Sequence, residues 1–291
     1  MNAGINRLSS VAFLTITVVI AAAVAACGSN SPQSSTSSTA SGSGAAASSV
    51  DVPLGSQPSG SATLSWDPQS KNVTAKLALA GFTPGSTHAM HIHQGGCAAL
   101  GDVAVPFPDV TADGGGAINT SVTSSQPAPG GLAAGTALNI HLASGAQLGG
   151  PGTLGYTTIS CGDISSATPG TLTMAPVGQR PQGSSNLAYD SGKKTLTVKT
   201  TASGLAPGSG HAQHIHLGTC NAQGAVKYPL DDLVASPTGT AAGTTVIQNV
   251  DQAPPASGWY VNVHLGTSGQ IEQNGQPTLY FQPIICGNVG K

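Results

Sequence analysis

The sequence predicts an all-β protein made of two tandem antiparallel sandwich or barrel domains. Three observations carry that expectation. First, only 7% of the 291 residues are charged, Gly and Pro number 40 and 20, and helix formers are scarce, with three Met and a single Glu, Glu272. Such a composition disfavours helical bundles and suits short strands joined by turns. Second, runs rich in Thr, Val and Ser alternate polar and apolar residues, with turn clusters about every 8–12 residues. Third, the chain overlays itself at a shift of 123 residues.

The elements follow in chain order. Arg7 is the only charged residue before Asp51, and an apolar stretch from Val11 to Ala26 ends at Val24-Ala25-Ala26-Cys27-Gly28. A charged start followed by an apolar run is the signature of a secretory signal, here residues 1–26. Small residues directly before a Cys resemble the bacterial lipobox. That resemblance implies cleavage before Cys27, lipidation of Cys27, and a lipid-anchored protein of the bacterial cell envelope on the outer face of the cytoplasmic membrane. The alternatives are an ordinary signal peptide that contains Cys27, or an uncleaved anchor. Residues 27–52 are mostly Ser, Thr, Ala and Gly, and are expected to form a flexible tether.

The remainder is one unit written twice. Pro53 to Cys97 matches Pro176 to Cys220 without a gap, with 21 identities in 45 positions. The offset persists at Asn139/Asn262 and His141/His264, and becomes 125 at Cys161/Cys286. Two domains are therefore expected, at 53–166 and 175–291, separated by the Ser/Thr/Pro-rich stretch near Ser165 to Gly170. In the first, Ala62 to Trp66 is a strand and Asp67-Pro68-Gln69-Ser70 a turn. Asn72 to Ala80 alternates as a second strand, and Gly81 to Gly85 turns again. In the second, Leu196 to Thr200 follows the turn at Asp190-Ser191-Gly192-Lys193.

All eight histidines fall into one duplicated constellation: His88, His91, His93 and His141, then His211, His214, His216 and His264. Residues two apart on a strand share a face. His91 and His93 therefore project together, with Ile92 aimed into the core. His141, in the strand Leu138-Asn139-Ile140-His141-Leu142, can complete a three-nitrogen site from a neighbouring strand. His214, His216 and His264 repeat the set. Two imidazoles from one strand and one from the next suit copper or zinc. The competing reading is that these imidazoles bond loop backbone and hold the sheet edge. His88 and His211, three residues before each pair, are assigned a structural role.

The ordered motifs resemble the Cu/Zn superoxide dismutase family. Gly81-Phe82-Thr83-Pro84-Gly85-Ser86-Thr87-His88-Ala89-Met90-His91-Ile92-His93 resembles its H-x-x-H-x-H segment. Val110-Thr111-Ala112-Asp113-Gly114 resembles the segment after its zinc loop. Gly135 to His141 resembles the strand that carries its last copper ligand, and Ser160-Cys161-Gly162-Asp163-Ile164, repeated at Ile285-Cys286-Gly287-Asn288-Val289, resembles its C-terminal motif. The resemblance implies a Greek-key sandwich or barrel in each unit, with copper ligands at His91, His93, His141, His214, His216 and His264. It also implies disulfides Cys97–Cys161 and Cys220–Cys286. Four Cys after Cys27, one pair per unit, agree with oxidation outside the cytosol.

Departures from that family matter as much. Only twelve residues separate Cys97 from Val110, and none is His; the zinc loop is deleted and Pro106 stands where a zinc Asp is expected. Thr158 and Pro283 stand where the family carries its active-site Arg. One copper per domain and no zinc are therefore expected, with superoxide as the substrate only if the protein is catalytic. The second unit also resembles chordin-type (CHRD) domains, which share H-I-H-x-G and Tyr260-Val261-Asn262-Val263-His264, and that resemblance implies a non-catalytic envelope or adhesion module. Formal net charge is −2 without a basic run, which excludes electrostatic nucleic-acid binding. No nucleophile elbow, phosphate loop or telling carboxylate pair occurs, and Asp231-Asp232 is expected in a solvated turn.

Overall fold

Period-two patterning sets the strands. In Val73–Ala80 and Thr195–Ser203 every second residue is buried, as a sheet with one face on a core requires. The computed structural model describes residues 47–165, 170–178 and 180–290. Among these the protein is all-β, with two short 3-10 turns and no α-helix. The signal segment, Cys27 and most of the expected tether lie outside the described residues.

The strands of the first half are β1 (Ala47–Ser56), β2 (Ser59–Trp66), β3 (Val73–Ala80), β4 (Thr87–His88), β5 (Met90–Gln94), β6 (Val103–Pro106), β7 (Val110–Thr111), β8 (Ala117–Thr123), β9 (Thr136–His141) and β10 (Thr158–Ile164). Those of the second half are β11 (Gly170–Met174), β12 (Gln182–Asp190), β13 (Thr195–Ser203), β14 (Gly210–Thr219), β15 (Ala222–Val234), β16 (Ala241–Ile247), β17 (Trp259–His264), β18 (Glu272–Gln273), β19 (Gln276–Pro277) and β20 (Pro283–Asn288).

Seven strands of the second half and β1 hydrogen-bond in the order β15-β14-β17-β20-β1-β12-β13-β16. The two ends of that sheet meet. Thr245 on β16 accepts from the Asp231 backbone N–H on β15 at 2.8 Å and donates to the Asp231 carboxylate at 3.1 Å. The sheet thus curls into a barrel. Seven strands of the first half and β11 repeat the order in two four-stranded sheets, β6-β5-β9-β10 and β11-β2-β3-β8, joined by a bridge between Cys161 and Ala175. Successive strands such as β13 and β14 lie far apart in this order, the Greek-key pattern. Asp231 and Asp232 lie within β15 rather than in a turn, because the partner strand β14 extends the pairing to Val234.

The two halves exchange strands. β1, which precedes the first repeat, pairs with β12 and β20 of the second. β11, which precedes the second repeat, pairs with β2 and bridges to β10 of the first. Residues 47–52, expected as tether, are strand: Val52 and Leu54 point inward and are buried in the second core, while Asp51 faces outward and accepts from Asn186 at 2.7 Å. Glycine makes the crossing possible. A Cβ on Gly287 would lie 2.2 Å from the Pro53 carbonyl oxygen, and one on Gly162 would lie 2.7 Å from the Met174 sulfur. The Gly after each C-terminal Cys is thus the place where the crossing strand lies close over the sheet.

Each half has its own apolar core, one around Leu64, Leu77, Met90, Leu138 and Ile140, the other around Leu187, Val198, Ile215, Val261 and Val263. The central strands β9 and β17 are buried at every position. Their inward residues fill the core, and their outward residues lie under loops. That covered outer face is where the histidines are.

Candidate metal centre

Strand register builds the site. His91 on β5 pairs with Asn139 on β9, which pairs in turn with Cys161 on β10. His214, Asn262 and Cys286 form the same row in the second half. Directly paired residues share a face, so His91, His93, Asn139, His141 and Cys161 project together, and Ile92, Leu138 and Ile140 project into the core. The structure brings His91, His93 and His141 together, and likewise His214, His216 and His264. In each set one ligand nitrogen per residue lies within 4.8 Å of the others. Three nitrogens on a common metal at bonds of about 2.0–2.1 Å sit about 3.3–3.6 Å apart, so a small contraction closes either triad on an ion.

Hydrogen bonds fix which nitrogen each ring offers. His93 Nδ1 lies 2.8 Å from the Gly101 carbonyl oxygen and His216 Nδ1 lies 3.0 Å from that of Gly224. His141 Nδ1 lies 2.8 Å from the Tyr156 carbonyl oxygen, and His264 Nδ1 2.5 Å from that of Phe281. A carbonyl only accepts, so each of these Nδ1 atoms carries the proton and each Nε2 a lone pair. His91 and His214 turn the other way. His91 Nδ1 is buried without a partner, and His214 Nδ1 lies 3.1 Å from His264 Nε2. A metal held at these atoms would take one Nδ1 and two Nε2 nitrogens in each half, and in the second half would displace the proton that His214 Nδ1 shares with His264 Nε2.

The disulfides support this arrangement. Cys97–Cys161 and Cys220–Cys286 are both formed. Each pins the loop that follows β5 or β14 across the outer face. Asp163 accepts from the Cys97 N–H at 2.7 Å, and Asn288 from the Cys220 N–H at 2.9 Å. Gly101 lies in the first of these loops and Gly224 just past the second, at the start of β15, and their carbonyls orient His93 and His216.

Burial favours the neutral form of five of these imidazoles, His91, His141, His214, His216 and His264. Desolvation, reinforced by neighbouring rings, holds His91 and His214 down at about 4 and His264, opposed by its Phe281 bond, at about 3. It also lowers His141 and His216. Neutral imidazole is the metal-binding form. The unpartnered lone pairs of His91 Nδ1, His93 Nε2 and His216 Nε2 are what a cation would satisfy. An unmet buried acceptor costs about 1–3 kcal/mol.

His88 and His211 stand outside both triads. Each donates from Nδ1 at 2.9 Å to the backbone carbonyl of the third histidine, His141 or His264, and its Nε2 contacts the hydroxyl of Ser86 or Ser209 at 2.6 Å. Both ring nitrogens are used. Two further pairs at the 123-residue offset adjoin the triads. Asp109 accepts from the Gly145 N–H at 2.9 Å, and Asp232 accepts from Ser268 at 3.0 Å, tying the loop after the third histidine. Their negative charges act on His91 and His214. Asn139 and Asn262 are fully buried in the outer face. Sequence reading uses the asparagines only as markers of the repeat and misses Asp109; the signal for both was the shared offset. The halves differ beside the rings. Tyr260 stacks on His216 at 4.9 Å, where the first half has Ala137.

Fold and site define a tandem Greek-key protein with one histidine triad on the covered face of each barrel. The model of the CHRD domain matches residues 24–150 and again 165–272, and the chain belongs to the CHRD family. Both repeats match, where the sequence showed that resemblance for the second alone. The match does not extend to the dismutase resemblance. No curated protein matches the chain.

Proposed function

We propose that this chain is a non-catalytic CHRD module that holds one copper ion at each histidine triad, on an envelope surface to which a lipidated Cys27 tethers it. The observation that carries the reading is the convergence of three imidazole nitrogens within 4.8 Å of one another in each half, with His91 Nδ1, His93 Nε2 and His216 Nε2 buried and without a partner. Copper bound there would supply a redox-active, imidazole-ligated cation. The triads contain no thiolate or carboxylate, so the general affinity order favours copper over zinc. Gly101 and Gly224 hold the ligand tautomers through their carbonyls. Asp109 and Asp232 attract a cation toward His91 and His214 and repel an anion such as superoxide, which favours holding the metal over dismutation.

Titration of the chain with Cu(I) and Cu(II) tests this. We expect two equivalents bound at micromolar dissociation constants or tighter, about −8 kcal/mol or better. His93→Ala should remove one equivalent and leave the second. His88→Ala should keep both and lower stability by about 1–3 kcal/mol, because it strands the His141 carbonyl. Absence of stoichiometric copper would leave the imidazoles as scaffold and refute the metal reading. Superoxide dismutation by the loaded protein faster than by free copper would refute the non-catalytic part.

A further inference from the structure

We propose that Asn139 and Asn262 are a fourth donor position of the two triads, with the amide oxygen reserved for Cu(II). This rests on the copper reading above and adds the residue that discriminates between the two oxidation states.

Asn139 shares its face with His91 across the strand pair and with His141 two residues along β9. Asn262 stands in the same relation to His214 and His264. Both side chains are fully buried. In the first half Asn139 Nδ2 lies 3.1 Å from His141 Nε2. That nitrogen is a lone pair, because Nδ1 carries the proton to Tyr156, so the amide N–H caps a ligand atom. Asn139 Oδ1 has no partner, and in the second half neither amide atom of Asn262 has one. An asparagine kept to hold a loop would be bonded to that loop. The Asn139 amide instead meets a ligand nitrogen with its oxygen unspent, and the Asn262 amide, at the same register position beside His214, is wholly unspent.

Oxidation state decides which metal form uses that oxygen. Three imidazoles complete a trigonal Cu(I) site, whereas Cu(II) takes further nitrogen or oxygen donors toward a tetragonal set. In the metal-free first half the Asn139 N–H holds the lone pair of the third histidine's Nε2 in place; in the second half His214 Nδ1 does so and the Asn262 amide is unbonded. Metal at that nitrogen displaces the N–H, and a turn of the amide presents Oδ1. Neither Asp109 nor Asp232 competes for this place, since each is engaged by a backbone N–H of the loop.

The test compares the full chain with its Asn139→Leu/Asn262→Leu variant, using Cu(I) and Cu(II) ions separately in competition titrations and reading the Cu(II) form by electron paramagnetic resonance. Leu removes the unsatisfied amide at similar volume, so the metal-free variant should unfold at no lower temperature than the parent. Cu(II) affinity should fall by about tenfold or more, with Cu(I) affinity little changed and the resonance altered. A tenfold change in that ratio raises the one-electron potential by about 59 mV. Single Asn139→Ala and Asn262→Ala chains provide a second set, in which half of the resonance should change in each. Unchanged Cu(II) affinity and resonance in a folded variant would overturn the amide assignment while leaving the copper reading intact. A parent chain that binds no copper would overturn both.

Discussion

Deleting apolar side chains from the N-terminal strand should destabilise the C-terminal barrel. Val52 and Leu54 on β1 are 0% and 4% exposed and belong to the second core. Leu→Ala in a core costs about 2–5 kcal/mol, and Val→Ala removes two methyl groups at about 0.8 kcal/mol each before any cavity is counted. The double change should therefore cost about 4 kcal/mol or more, a large part of the 5–15 kcal/mol or so that holds a typical domain. Each half carries its own reporter. Trp66 packs against the first core and donates to the Ala128 carbonyl at 3.0 Å, and Trp259 is buried in the second. With Trp66→Phe as background, urea unfolding followed by Trp259 fluorescence should shift its midpoint down by roughly 1–4 M, given slopes of about 1–3 kcal/mol per molar. With Trp259→Phe as background, the Trp66 transition should hardly move. Leu172→Ala with Met174→Ala on β11 should show the reverse, since both side chains are buried in the first core. A Val52/Leu54 variant that moves the Trp66 transition and leaves that of Trp259 in place would refute the strand exchange.

Two further outcomes follow from the structure and sequence. The folded protein holds His91 and His214 neutral down to about 4 and His264 to about 3, against an ordinary 6.5. Between those limits the unfolded chain binds more protons, so stability is full above about 6.5 and is lost as pH falls toward 4. Thermal midpoints measured from pH 7 to 4 should decline through this window, and bound copper should leave in it; a flat profile would show that the rings are not held neutral. At the other end of the chain, Cys27→Ala should release the protein from membranes or leave an unprocessed precursor, read by fractionation and intact mass, and unchanged retention at the processed mass would refute lipidation.

Much of the site was legible from spacing alone. The i, i+2 placement of His91 and His93 fixes their common face because a strand's side chains alternate with a period of two. The 123-residue offset reproduces the set in the second half. Asn139 and Asn262 were visible as repeat markers, but a buried amide among imidazoles looks in sequence like any strand asparagine. Its unspent hydrogen bonds exist only once β5, β9 and the disulfide loop enclose it. Asp231 was misplaced for a related reason. Two adjacent acids read as a solvated turn, whereas the barrel seam gives Asp231 a Thr245 partner from a strand that local sequence cannot name.

By itself the sequence determined the all-β class, the duplication, the histidine sets and the one-pair-per-half cysteine count, since all of these are local patterns or repeats of them. Only the tertiary structure decided which barrel each leading strand completes. Val50-Asp51-Val52-Pro53-Leu54 carries a clear period-two pattern, and that pattern says a strand forms with one face buried. It does not say against what. Backbone hydrogen bonds are the same for any partner, so the choice falls to the shape of the two cores and to the bare Cα positions at Gly162 and Gly287 that let a crossing strand lie down. That is a property of two barrels packed in one chain, and no segment of the sequence contains it.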